Sequence, residues 1–327
     1  MKVLVTGGTG FIGSSIVRAL LLAGHDVRAL VREGADTRNL AGLDIERVTG
    51  DITDPESLTA AIRGCTHVFH AAALYSFWVT QPELIERVNV GGTRNVLQAA
   101  LDAGVERVVY TSSVAALAVP SRDRPVDEAT PVDPSEIIGA YKRSKYAAEQ
   151  VALEYAAKGL PVVIVNPSFP VGPRDIKPTP TGQTILDFIN HRLPAYVDTG
   201  MNVVDVEDVA QGHLLAAEKG KIGERYILGG RNMSMREFLG ILEKITGIPA
   251  PRVRLPYAPL LALSYVNATW CRMTKSTPRM TPDTIRMSRH YMYYDPSKAI
   301  DELGMPQTPP EVALKKAVDW FIAQREI

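Results

Sequence analysis

The nine residues "VTGGTGFIG", Val5 to Gly13, narrow the possible folds of this chain more than any other stretch. They follow a short β-branched run, Val3 to Val5, and open an apolar pattern of helical period from Ile12 to Ala23. Gly7, Gly10 and Gly13 thus form a G-x-x-G-x-x-G series between a strand and a helix, with Phe11 and Ile12 completing the turn. Bare backbone at those points lets N–H groups approach an anion, and the helix N-terminus adds partial positive charge. A dinucleotide pyrophosphate is the ligand that such a turn takes when strand and helix flank it.

The pattern then repeats. Val27 to Val31, Glu46 to Thr49, Val68 to His70, Arg107 to Tyr110 and Val162 to Val165 read as strands apolar enough to be buried on both faces. Helical segments such as Pro82 to Ala103 separate them. Strand and helix in alternation predict an α/β fold, a doubly wound parallel sheet of the Rossmann type. After residue 167 prolines crowd "NPSFPVGPRDIKPTPTG", and short strands (Val203, Val204; Tyr226 to Leu228) mix with helices near 206–219, 234–245 and 309–324. This predicts a smaller mixed α/β C-terminal substrate lobe. Residues 1–166 with about 203–229 fall to the dinucleotide domain, and 167–202 with 230–327 to the lobe.

Ligands of open α/β sheets bind at the carboxyl ends of the strands, so the residues there are the candidates. The second strand ends in Arg32, where an NAD-preferring site places an acid; a guanidinium suits the 2′-phosphate of NADP, although Glu33 beside it could serve a ribose hydroxyl. "GDITD" puts Asp51 and Ile52 where an adenine could lie, and "HAAAL" offers Ala71, Ala72 and Ala73 for close passage of the cofactor. "YTSSVAAL" adds Ser112 and Ser113. His70 reads as a packed core residue. No His, Cys and Asp cluster has metal-site spacing, and Cys65 and Cys271 are too few for a disulfide framework.

Composition excludes other classes. The 36 basic residues balance the 36 acidic ones, so no global field attracts nucleic acid. The N-terminus enters a strand with no apolar signal region, which makes a reducing cytoplasm the expected location. The most apolar stretch, 256–273, carries Asn267 and Arg272 and reads as a core-packing helix, with membrane-surface contact the lesser reading.

In "AYKRSKYAAEQ", Tyr141 and Lys145 stand four apart and share a helix face. Together with "TGGTGFIG", "GDITD", "HAAA", "NVGGTRNVL", "YTSSVA" and "NPSFPVGP", in that order, the pair makes the whole chain resemble an extended short-chain dehydrogenase/reductase of the NAD-dependent epimerase/dehydratase family. Within it, the sequence is similar to hopanoid-associated sugar epimerases and dihydroflavonol 4-reductase-like proteins. The resemblance implies that Tyr141 moves a proton at the substrate oxygen and that Lys145 lowers its pKa while holding the nicotinamide ribose. It implies that Ser113, with Ser112 the alternative, bonds the same oxygen, and that Asn89 steadies the lysine through water unless it merely kinks its helix. Pro167 and Ser168 would line the nicotinamide. Extended members commonly pair as homodimers through the helices that here span about 82–103 and 141–157, where alanines 147, 148, 152, 156 and 157 offer a small-residue surface.

One departure bears on the substrate. Nucleotide-sugar members show R-D-[YF]-[IV]-H-V-x-D-V where this chain reads "MNVVDVEDV", with Met201 in place of the arginine and Asp205 in place of the histidine. A diphosphate needs cationic partners, for which Arg174, Lys177, Arg231 and Arg289 are substitutes. Tyr75, Phe77, Trp78 and Phe169 would suit an apolar ketone or the core equally. Three readings follow: an NAD(P)(H)-dependent oxidoreductase interconverting a ketone and a secondary alcohol, with NADP preferred; a nucleotide-sugar epimerase or dehydratase that retains NAD; and a cofactor-binding sensor, which the presence of both Tyr141 and Lys145 disfavours.

Overall fold

The structure, a computed structural model, describes residues 1–75, 82–274, 276 and 281–324. The first half runs β1 (Lys2–Thr6), α1 (Phe11–Leu22), β2 (Asp26–Val31), β3 (Glu46–Thr49), α2 (Pro55–Ile62), β4 (His67–His70), α3 (Pro82–Glu86), α4 (Gly92–Asp102), β5 (Arg107–Thr111), α5 (Ala140–Ala157) and β6 (Val162–Pro167). The second half runs β7 (Phe169–Val171), α6 (Pro180–Ile189), β8 (Tyr196–Val197), β9 (Gly200–Asp205), α7 (Val206–Lys219), β10 (Arg225–Leu228), β11 (Arg231–Ser234), α8 (Met235–Thr246), β12 (Arg254–Leu255), α9 (Tyr257–Thr274), α10 (Pro282–Met287), β13 (Tyr291–Met292) and α11 (Pro310–Ala323).

The large sheet has seven strands in the order β3-β2-β1-β4-β5-β6-β10, all parallel. Strand order reverses between β1 and β4, and that is where a doubly wound sheet opens its ligand crevice. Ile16, Val17 and Leu20 of α1 and Val209 and Leu214 of α7 pack one face. Leu58 of α2, Val96 and Leu97 of α4, and Ala148, Val151 and Tyr155 of α5 pack the other. Strand β3 departs from expectation: as the sheet's edge it is mostly exposed, and of its side chains Val48 packs on the core.

Fully buried β9 centres the second lobe, pairing with β7, β11 and β13 beneath α6, α8 and α11. Val203 and Val204, assigned from sequence to the dinucleotide domain, pair within this small sheet, while Val204 packs in the core of the large one, which the chain rejoins with α7 and β10. The expected single helix over 82–103 is interrupted by a π-helical turn, Arg87–Gly91. Of the alanines read as a dimer surface, Ala148 and Ala152 are buried against the large sheet, leaving Ala147 and Ala156 half-buried and Ala157 exposed.

Glycine placement fixes the first turn. A methyl on Gly13 would sit 2.0 Å from the Gly7 carbonyl oxygen, whereas one on Gly240, inside α8, would meet nothing within 4 Å. Gly13→Ala is therefore expected to lower unfolding free energy by roughly 1–3 kcal/mol, and Gly240→Ala to raise it by about 0.5–1 kcal/mol. Urea titrations of the two variants check the opposite signs.

Candidate active site

The tips of β1 to β4 enclose a cleft of about 250 Å³ lined by Gly7, Thr9, Gly10, Arg32, Asp51, Ile52 and Ala71 to Ala73, among others. Gly7 has φ +75°, and a side chain on it would strike the Ala72 nitrogen at 2.6 Å. Only glycine lets the β1 tip pass that close to the β4 tip. Gly10 caps α1 with no side-chain hydrogen bond, and no acid occupies the helix's first turn. The first N–H groups thus remain open to an anion, as a dinucleotide pyrophosphate requires. Phe11 and Ile12 form the first turn of α1 rather than the loop before it. Arg32 is exposed at the β2 tip, close enough to Asp51 to help hold that carboxyl down. Burial pushes Asp51 up, but the Thr53 N–H and hydroxyl, with Arg32 and Arg87, outweigh it. These residues fit a dinucleotide laid across the switch point.

Tyr141 and Lys145 lie on α5 one turn apart, both buried, and the Ser113 side chain acts on the Tyr141 phenol to lower its pKa. Ser112 is buried beside the Tyr110 hydroxyl, so the structure brings Ser113 rather than Ser112 to Tyr141. The Lys145 ammonium donates to the Thr111 carbonyl at 2.8 Å and lies 5.2 Å from the Tyr110 ring centre. Burial pushes Tyr141 well above its ordinary value against the pull of the Ser113 hydrogen bond. Burial likewise brings Lys145 down to about 8, with the Glu149 carboxylate opposing. Pro167 ends β6, and Ser168 donates to Asn202 in β9, which ties the cofactor domain to the lobe.

Asn89 sits in the π-helical turn. Its carbonyl accepts from Leu74 N–H at 2.7 Å, and its amide donates to Leu74 O at 3.1 Å and to Ser144 Oγ at 2.9 Å. Ser144 in turn donates to the Tyr141 carbonyl. The side chain therefore grips the catalytic helix directly, and the bulged turn aims it there. Two further residues escaped the sequence reading. Asn166 of β6 donates both to the Ser113 carbonyl at 3.0 Å and to the fully buried Glu149 at 2.7 Å. Glu149 follows Lys145 by four positions and leans on Arg225 at 3.4 Å. Its helical phase with Tyr141 and Lys145 was the only signal available. His70 is a core residue, as read. Thr6 and Thr93 hold its two ring nitrogens at 2.7 and 3.1 Å, and burial lowers it to about 3.

Comparison with known proteins places this geometry. The family model described as NAD dependent epimerase/dehydratase family matches residues 3–229. The chain belongs to that family. A putative dihydroflavonol 4-reductase of Synechocystis is 49% identical over 97% of this chain and 93% of its own. Sterol demethylase protein B of Methylococcus capsulatus is 38% identical over 98% of each. A dTDP-glucose 4,6-dehydratase from Streptomyces venezuelae, crystallised with NAD, superposes with TM-score 0.80 and 26% identity, covering 100% of this chain and 98% of that one. The protein is thus an NAD(P)-dependent extended short-chain dehydrogenase/reductase.

Within this family the substrate side is distinctive. Met201 is buried in the core of the small lobe. Asp205 caps α7 through Glu207 N–H and pairs with Lys316 at 2.8 Å, so it is a structural residue. Arg174 pairs with Glu207, Arg231 with Glu311, and Arg289 lies over the Tyr257 ring. Tyr75 meets Tyr141 edge to face at 4.7 Å, and Phe169 is half-buried between two apolar clusters. Phe77 and Trp78 lie outside the described residues.

The lowered Lys145 has a consequence for stability. Its folded pKa, about 8, lies below that of an unfolded lysine, so folding disfavours its charged form. That destabilisation is fully present below pH 8 and fades as pH rises toward about 10. Lys145→Met is expected to melt higher than the native protein at pH 7, by roughly 1–2 kcal/mol after loss of the Thr111 hydrogen bond, and the gap should close near pH 10. Thermal melts at the two pH values check both the sign and its disappearance.

Proposed function

We propose that the protein is an NADP(H)-dependent oxidoreductase that interconverts a bulky, weakly charged ketone and its secondary alcohol. One observation carries the reading: burial favours the protonated form of the Tyr141 phenol, against the pull of Ser113, and the Tyr75 ring meets it edge to face at 4.7 Å. A protonated phenol suits donation to a carbonyl oxygen, and an aromatic wall suits a ring substrate better than a diphosphate. The names of the Synechocystis and Methylococcus relatives, one a dihydroflavonol reductase and one a sterol protein, agree with this choice.

When bound, the nicotinamide supplies or accepts the hydride. Ser113 Oγ and Tyr141 Oη orient the carbonyl oxygen, and the Tyr141 proton passes to that oxygen as negative charge gathers there. Lys145, near its midpoint at about pH 8, offers a charge that eases formation of the tyrosinate. Asn166 and Asn89 hold the Ser113 and Tyr141 backbones in place. The cofactor would rest on Gly7, Gly10 and Gly13, with Arg32 on the 2′-phosphate. Likeness to the Streptomyces dehydratase favours the alternative, a nucleotide-sugar epimerase or dehydratase that retains NAD.

Two panels separate the readings: NADPH with dihydroflavonols, sterol ketones and other bulky ketones, and UDP-, GDP- and dTDP-sugars with no added cofactor. NADPH consumption in the first supports reduction; converted sugar without it establishes the alternative. On an accepted ketone, Tyr141→Phe should lower kcat by about 10²- to 10⁴-fold with little change in cofactor affinity. Arg32→Asp should weaken NADPH at least about tenfold more than NADH, because it removes a charge-assisted contact and adds a repulsive one. Fluorescence titration of both cofactors reads that difference, and an equal loss for both would remove Arg32 from the 2′-phosphate site.

A further inference from the structure

Helix α9 does not serve only the core, as the sequence suggested. Leu260, Ser264, Ala268 and Cys271 turn inward, whereas Leu263, Val266, Trp270 and Met273 are 54%, 67%, 65% and 77% exposed. Their spacing of three, four and three residues puts the exposed four on one helical stripe, and Tyr265 beside them is also exposed. No helix among the described residues is long and apolar enough to cross a membrane.

Charge singles out the same region. Between Glu243 and Asp283 the sequence has no acidic residue, yet it contains Lys244, Arg252, Arg254, Arg272, Lys275 and Arg279. A chain with no net charge thus concentrates six cations in the sequence segment that contains this helix, one of them, Arg254, paired with Asp198 at 2.7 Å.

We propose that α9 is an interfacial helix that docks the protein on an anionic lipid bilayer. Tryptophan and aliphatic residues on one stripe, set in a basic and acid-free segment, match the chemistry of a headgroup boundary over an anionic leaflet. A second copy fits poorly. A two-fold contact sets like patches against each other and so brings two basic, acid-free segments together. Helix α9 also connects to the site through α10. Asp283 of α10, which packs on α9, sits against Gly139, the residue immediately before the catalytic helix α5. A bilayer-borne ketone is then the substrate class that fits, an extension that rests on the function proposed above.

The test is cosedimentation of the full chain with vesicles of phosphatidylcholine, with and without phosphatidylglycerol, a readout independent of turnover. Binding to the anionic vesicles alone, weakened by salt and reduced at least about tenfold in Leu263→Ser/Trp270→Ser, is the expected result. Both positions are exposed, so circular dichroism and melting should be unchanged. The proposal falls if native protein stays in the supernatant with both vesicles, or if native and variant proteins pellet alike. It also falls if light scattering shows a native dimer that the double substitution converts to monomer, since α9 would then cover a second copy.

Discussion

A buried chain of hydrogen bonds runs from the cofactor loop to the catalytic helix, and its polarity follows from counting protons. The Thr93 hydroxyl donates to the Asn89 carbonyl at 2.6 Å, so it must accept from His70 Nε2–H. His70 Nδ1 is then an acceptor from the Thr6 hydroxyl, which accepts in turn from Ala72 N–H. Every hydroxyl on this path gives one proton and takes one. With burial lowering His70 to about 3, the neutral tautomer is fixed across all ordinary conditions. Strands β1 and β4 and the π-helical turn are locked together at the point where the sheet's order reverses, and Asn89 extends the lock through Ser144 to Tyr141.

The site built on this frame gives up stability for chemistry. An ammonium and a phenol are drawn out of water on one face of α5, so burial works against the charged form of each. Asn166 and Glu149 secure the other side by pinning the Ser113 carbonyl, at the expense of a fully buried carboxylate whose cation stands at 3.4 Å. Such arrangements are kept for positioning, since apolar residues of similar shape would often be as stable.

The substrate lobe follows a different logic. Its central strand β9 is buried throughout, which turns Met201 into core and Asp205 into a helix cap tied to Lys316. Positions that in sugar-nucleotide members carry a cation and an imidazole are thereby absorbed into the scaffold. The wall left beside Tyr141 is aromatic. Cofactor chemistry and substrate choice are thus divided between two sheets, linked where Ser168 meets Asn202.

Local physics made much of this visible in the sequence. Strand boundaries fell within a residue or two because β-branched runs end where glycines and acids begin, and the glycine turn declared itself because a methyl on Gly13 has nowhere to go. Tyr141 and Lys145 became readable only beside the ordered motifs around them, because a pair four apart on a helix is ordinary by itself. Everything that depends on which strand lies beside which was decided by the tertiary structure: the exposure of β3 at the sheet edge, the pairing of Val203 and Val204 in the small sheet, and the hold of Asn89 on Leu74 and Ser144. The π-helical turn and the contact between Asn166 and Glu149 join groups far apart in the chain, and residue order does not encode such distances. Periodicity told that 256–273 was helical and apolar, but only packing chose which stripe of α9 meets the protein, and it left the more apolar one, Leu263, Val266, Trp270 and Met273, facing outward.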